Sequence, residues 1–288
     1  MPELPEVHAL AADLSSRLAG RAVERLDMTS FTALKTFDPP ASAVGRSVID
    51  VVVRHGKYLD FAMATPGGGQ LHLVVHLARA GWVRWRRNAP ERARPGKGPL
   101  AARLVLENGS GVDFTEAGTK KSLALWLVGD PMEISQVAGL GPDPLREDFT
   151  AEQLAGILQK AGRAQIKGVL RSQSTIAGIG NAYSDEVLHA AGLSPYQPAE
   201  KTDAVQLLDA IRSTLHGAIA RSAGSAAADL KAEKKAGLRI HGRAGEECPV
   251  CATVIREVIF ADRSTQYCPT CQTGGKVLAD RALSRLLK

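Results

Sequence analysis

The 288-residue chain predicts an α+β multidomain fold: an N-terminal helix plus β-sandwich, a helical central domain and a C-terminal zinc ribbon. Three observations carry this. Short apolar segments broken by Gly, Pro and Asn-Gly fill the first part of the chain, and helical periodicity takes over near residue 151. All four cysteines fall in two C-x-x-C pairs near the end. The length favours two or three compact units, and a hydrophobic content of 44% supplies ordinary globular cores.

The opening, Met1-Pro-Glu-Leu-Pro-Glu-Val7, reads first as a helix start. Pro5 suits the first turn, where a missing N–H costs nothing, and Glu6 suits the positive end of the helix dipole. Val7, Leu10, Ala11, Leu14 and Leu18 then recur at helical spacing. That account leaves Pro2 and Glu3 without a structural task. Strand-like segments follow at 48–53, 58–61, 72–75, 102–107 and 122–126, which places a β-sandwich domain over residues 1–130.

Residues 131–147, with Gly139-Leu-Gly-Pro-Asp-Pro144, read as a linker, and residues 148–225 as a helical domain. Ala204, Leu207, Leu208, Ile211 and Leu215 mark one of its helices. Gly178 and Gly180 stand directly before Asn181 and another apolar-periodic run. Such a turn aims backbone N–H groups at the helix start, where an anion can sit. Lys167 and Arg171, shortly before it, favour phosphate; a plain interhelical turn is the other account.

Residues 226–288 form a C-terminal segment holding a ribbon at about 243–274. Cys248 and Cys251, then Cys268 and Cys271, have the spacing of a four-thiolate zinc site with all positions filled by sulfur, hence structural. Residues 254–260 and 265–267 alternate as two short strands between the knuckles. Two disulfides or redox pairs are the competing reading; the start of the chain lacks the charged and apolar regions of a secretory signal.

Net charge is +6, and residues 201–288 carry +5 of it, with 14 Lys+Arg against 9 Asp+Glu. A basic end on a near-neutral body points to an anionic partner, nucleic acid foremost. The apolar stretch at 71–77 contains His72 and His76, and no run approaches the roughly 18 residues that span a bilayer. A soluble protein without a membrane partner is expected.

Four pieces in this order resemble the formamidopyrimidine-DNA glycosylase / endonuclease VIII family: Met1–Val7, Gly56-Lys-Tyr-Leu59, Gly178-Ile-Gly-Asn-Ala-Tyr-Ser-Asp-Glu-Val-Leu188, and the paired knuckles ending Cys268-Pro-Thr-Cys-Gln272. The resemblance spans the chain and implies that its helical domain is a helix-two-turn-helix. It further implies a bacterial, cytoplasmic, monomeric base-excision enzyme with one structural Zn2+, acting on double-stranded DNA with damaged bases or abasic sites. The initiator Met would be removed and the Pro2 amine would attack C1′ of the damaged nucleotide, leaving an imine that permits β- or β,δ-elimination. An α-amino group has a reference pKa of about 7.7–8.0, so a useful fraction is neutral at cellular pH. Glu3 would move protons at the sugar and leaving groups, and Glu6 would orient the N-terminus. Lys57, Asn181 and Arg263 would hold backbone phosphate near the lesion, with the duplex in a cleft between the halves.

Two departures concern the base. Members that excise 8-oxoguanine carry a methionine in His-Leu-Gly-Met-Ser-Gly, whereas this chain has His76-Leu-Ala-Arg-Ala-Gly81. Arg79 can fill the gap left by an extruded nucleotide, since guanidinium both stacks and donates; a surface arginine is the plainer account. Their Asn-Asp-Pro-Arg-Arg-Phe-Gly loop corresponds to Phe114-Thr-Glu-Ala-Gly-Thr-Lys-Lys121 here, without the Arg and Phe wedge. The Ala-rich stretch 222–245 is also short for the lid over a purine. The sequence therefore supports a bifunctional glycosylase/AP lyase, the same chemistry on a narrower lesion, or a catalytically silent DNA-binding protein on the same scaffold. Pro2 and Glu3 argue against the last.

Overall fold

The computed structural model describes residues 1–89, 92–93, 98–260 and 263–279, the side chain of Phe260 excepted. Ala261 and Asp262 of the ribbon's expected tip, and residues 280–288 of the expected C-terminal domain, lie outside the described residues. The chain forms two compact units, one of Met1–Gly139 with Ser222–Lys231, the other of Leu140–Arg221 with Ala232–Lys288.

In the first unit, helix α1 (Leu4–Leu18) buries Val7, Leu10, Leu14 and Leu18, the stripe its spacing predicts. It packs on strands β2 (Val48–His55) and β3 (Tyr58–Ala64), and Ser15 Oγ accepts the Val52 N–H at 3.2 Å. Those strands belong to an antiparallel sheet of order β2-β3-β4-β8, completed by β4 (Gln70–His76) and β8 (Ala124–Val128). The second sheet, order β1-β6-β7-β5, holds β1 (Val23–Met28), β5 (Gly81–Arg86), β6 (Leu100–Leu106) and β7 (Gly111–Glu116). One apolar cluster joins α1 and both sheets, with Phe61 and Phe114 edge to face at 5.7 Å.

Strands β1, β5 and β7 escape a search for apolar runs because they carry charges: Glu24, Arg25 and Asp27; Arg84 and Arg86; Asp113 and Glu116. Cross-strand pairing makes those charges tolerable. Buried Asp113 accepts from Arg103 Nε at 2.6 Å and Nη2 at 3.0 Å, and from Arg86 Nε at 2.8 Å. Burial raises its pKa, but the two guanidiniums outweigh it and hold the carboxyl below the usual range.

After the short helix α2 (Ser135–Ala138) the chain enters the second unit. Helices α3 (Ala151–Ala161), α4 (Ile166–Arg171), α5 (Asn181–Ala190) and α6 (Ala204–Ser222) follow. Thr150 caps α3 by accepting the Gln153 N–H, and Leu207, Ile211 and Leu215 bury one face of α6. The segment Ser222–Lys231 folds with the first unit: Trp82 Nε1–H donates to Ala227 O at 2.7 Å, and Leu230 lies in that unit's core. Helix α7 (Leu230–Gly237) then carries the chain to an antiparallel hairpin, β9 (Arg256–Phe260) with β10 (Arg263–Tyr267), and to the short helix α8 (Pro269–Thr273). This hairpin between the cysteine pairs is the ribbon the sequence predicts. Among the described residues, no helix is long and apolar enough to cross a membrane.

Candidate active site and nucleic-acid interface

The first group of predicted residues sits at the start of α1. Pro2 is buried, as are Glu3 and Glu6, at 2% and 1% exposure. The helix-start reading leaves Glu3 without a structural task, but the structure gives it one: Glu3 is the N-cap of α1, and its N–H donates to Glu6 Oε2 at 2.8 Å in a capping box. Two carboxylates are thus kept out of water at the helix start, that of Glu3 directly following Pro2 in the chain. In the structure Met1 is attached, so the Pro2 nitrogen is an amide; the amine appears only when Met1 is cleaved.

Lys57 follows Gly56 in the β2–β3 turn, where Gly56 takes φ +54° and so admits no ordinary side chain without strain. Lys57 itself is largely buried. The ring of His76, at the end of β4, lies 4.7 Å from that of Tyr58, its cross-strand partner. Burial, and then the charge of Lys57, push His76 down to about 4, so the imidazole is neutral beside the lysine. Arg79 is exposed on the next turn. Gly81 N donates to Leu77 O at 2.8 Å, and a Cβ on Gly81 would meet that oxygen at 2.0 Å, so only glycine closes the turn that presents Arg79. Downstream, buried Glu116 accepts the N–H groups of Ser122 and Leu123, closing the exposed loop 117–121.

The second group lies in the other unit. Gln173 clamps the glycine turn before α5: its Oε1 accepts Gly178 N–H at 2.9 Å and its Nε2 donates to Ile179 O at 2.7 Å. Gly178 has φ +89°, and Gly180 is the N-cap of α5. Asn181 opens the helix and its Nδ2 donates to Ser264 O at 2.9 Å, next to exposed Arg263 at the start of β10. Lys167 is buried, with Nζ 2.5 Å from Asp185 Oδ1 and 3.4 Å from Ser264 O. Asp185 Oδ2 also meets His241 Nδ1 at 2.7 Å and accepts Gln266 N–H at 3.4 Å. Asn181, Lys167 and the strand of Arg263 are therefore gathered around one carbonyl, that of Ser264.

Sequence reasoning named the cations of this cluster and missed the acids beneath them. Asp185 is one. Glu186 is the other, its carboxylate accepting the N–H groups of Arg239, Ile240 and His241. The signal was present as polar residues at four-residue spacing along α5, Asn181, Asp185 and His189, which share one helix stripe. His76 was missed too; only its nearness to Lys57, which the pairing of neighbouring strands β3 and β4 creates, singles it out.

The four cysteine sulfurs lie within 4.8 Å of one another. Cys248–Cys271 is 3.9 Å, Cys251–Cys268 3.3 Å and Cys251–Cys271 3.4 Å. All four thiols are free. Four thiolates at about 2.3 Å from a tetrahedral ion, the distance zinc takes, would stand about 3.8 Å apart, so this donor set fits a metal. The Cys271 N–H donates to Cys268 Sγ at 3.5 Å, and hydrogen bonds with Thr253 draw the Cys251 thiol down to about 6.

Comparison with known proteins agrees with this layout. Residues 1–122 match the formamidopyrimidine-DNA glycosylase N-terminal domain and residues 140–229 its H2TH domain. Residues 245–274 match the zinc finger found in FPG and IleRS. An uncharacterized formamidopyrimidine-DNA glycosylase-like protein of Mycobacterium tuberculosis is 54% identical over 156 residues, 53% of this chain and 97% of that protein. The formamidopyrimidine-DNA glycosylase of Symbiobacterium thermophilum is 34% identical over 94% of this chain and 89% of its own length. Among solved structures, MutM in complex with DNA containing carbocyclic 8-oxo-G superposes with a TM-score of 0.81 at 26% identity, covering 94% of this chain and all of that one. Lactococcus lactis Fpg with abasic-site DNA gives 0.81 at 27% identity, over 94% and 99% of the two chains. With a 34%-identical relative aligned over 94% of this chain, and all three parts of the fold matched in order, the chain belongs to the formamidopyrimidine-DNA glycosylase family.

Proposed function

We propose that this chain is a base-excision repair DNA glycosylase with AP lyase activity, in which Pro2, freed of Met1, is the nucleophile. The observation that carries the reading is the buried Pro2-Glu3 start of α1, with its acids fixed by the helix cap. The Pro2 nitrogen bonds to C1′ of the damaged nucleotide and the C1′–N glycosidic bond breaks; its electron pair leaves with the base, which takes up the proton that the Pro2 nitrogen gives up, so the nitrogen regains a lone pair. Glu3 delivers a proton to the ring oxygen, so the sugar opens and the nitrogen lone pair completes an iminium. Loss of a C2′ proton into that electron sink then expels the 3′ phosphate.

Lys57 in the first unit, and Asn181 and Arg263 in the second, are assigned to backbone phosphates. Arg79, presented on its glycine-closed turn, is assigned to the void left by the extruded nucleotide. Cys248, Cys251, Cys268 and Cys271 would hold one Zn2+, which keeps the ribbon folded and takes no part in the reaction.

The test is borohydride trapping on duplexes holding an abasic site, 8-oxoguanine or dihydrouracil. The native protein is compared with Glu3→Gln and with a form carrying extra residues ahead of Pro2. A covalent adduct that vanishes in the extended form, with DNA affinity retained, supports the proline mechanism, and the duplex that traps best names the lesion. An adduct that survives the extension places the nucleophile elsewhere. No adduct even at the abasic site, with tight binding, makes the chain a binder.

A further inference from the structure

Three side chains on one stripe of α5 reach the C-terminal part of the second unit. Asn181 Nδ2 donates to Ser264 O and Asp185 accepts from Gln266 N, both on β10. The third, His189, has Nε2 at 3.3 Å from Cys248 Sγ, 59 residues further along the chain. The residue is 5% exposed, and its other ring nitrogen, Nδ1, is buried with no hydrogen-bond partner among the described residues. Leaving an imidazole nitrogen dry and unsatisfied is costly, and a phenylalanine would fill the same space without that cost. The position is explained if Nε2–H itself has a task. His189 is not among the residues whose ligand atoms cluster within 4.8 Å, so that task is not metal ligation.

We infer that His189 is a positioning residue for the metal centre, donating its Nε2–H to the Cys248 thiolate and fixing the first knuckle to α5. The inference rests on the reading that the four cysteines bind zinc. Four thiolates around a dication leave two excess negative charges, which N–H donors to sulfur offset. Cys268 receives its donor locally, from the Cys271 backbone, whereas Cys248 receives His189 from a helix outside the ribbon. The same helix begins with Asn181, two turns away, so the bond ties the metal knuckle to the segment assigned to phosphate.

The experiment compares the full chain with His189→Phe, which keeps the volume and deletes the donor, and His189→Gln, which keeps an N–H. Zinc content of the native protein is measured first, then the rate of zinc transfer to a chromophoric chelator. The visible spectrum of each cobalt(II)-substituted protein completes the set. The expected result is release about 10-fold or more faster in His189→Phe, with partial restoration in His189→Gln. The sulfur-to-cobalt charge-transfer band should shift while the ligand-field bands of a four-sulfur tetrahedron persist. Unchanged release and an unchanged charge-transfer band in a zinc-loaded protein overturn this inference alone. Ligand-field bands that lose four-sulfur character in His189→Phe also overturn it. A native protein without zinc overturns the four-cysteine reading, and the inference with it.

Discussion

At the start of α1, Glu3 and Glu6 satisfy each other across three residues, whereas on α5 Asp185 draws its partners from 18, 56 and 81 residues away. Both regions bury carboxylates, yet they bury them for different ends. The α1 cap is closed between residues three apart, so its hydrogen bonds form with the first turn of the helix itself. The α5 network is assembled only when α4, α5, the segment around His241 and β10 have all come together. A locally satisfied acid can change its chemistry without unfolding its surroundings. A globally satisfied one cannot.

The sharpest way to break this comparison is Glu3→Gln. The amide oxygen still accepts hydrogen bonds at the helix start, so stability should move by no more than about 1 kcal/mol. Proton transfer is lost, and single-turnover excision of a base lesion should fall by about 10²–10⁴-fold. Excision rates set beside thermal melting check both halves. A large loss of stability with excision intact would falsify the division of labour.

The counterpart on α5 is Asp185→Asn. It should leave the buried Lys167 ammonium without its counter-charge and cost about 3–5 kcal/mol of unfolding free energy, read from urea titration. Replacing the pair together, Lys167→Met with Asp185→Leu, should recover most of that, because a buried ion pair stabilises little over apolar residues of similar size. If Asp185→Asn alone unfolds at the native urea midpoint, the α5 network is no more than surface decoration.

What could be read from the sequence divides along the same line. The α1 helix, the metal knuckles and the Pro2-Glu3 start were legible because each is written in residues close together: a 3.6-residue period, two C-x-x-C pairs, one dipeptide. Strands β1, β5 and β7 were not, because their charges are made tolerable by partners such as Arg103 on Asp113, ten residues away on the neighbouring strand. Lys167 shows the limit most plainly. A lysine before a glycine turn reads as a surface cation, and nothing local tells that Asp185 holds it under the surface. Neither does the sequence say that Ser222–Lys231 returns to the first unit, since that rests on Trp82 donating to a backbone carbonyl 145 residues on.

A smaller effect tests whether the first unit also holds a long-range electrostatic contact, between Lys57 and His76. In an unfolded chain a histidine titrates near 6.5, while burial and the Lys57 charge push the folded His76 to about 4. Between those values the unfolded state binds the proton that the folded state refuses, so stability rises with pH across the window and declines as pH falls from 6.5 towards 4. The contribution is at most about 3.5 kcal/mol. His76→Asn should therefore flatten the pH dependence of the urea midpoint between pH 4 and 6.5. Lys57→Met should move the His76 titration upward only in part, because burial, the larger cause, stays in place. An NMR titration of the His76 ring in both backgrounds separates the two causes. If Lys57→Met restores the ring to its ordinary value, the charge rather than burial governs it, and the first unit is then wired over distance as α5 is.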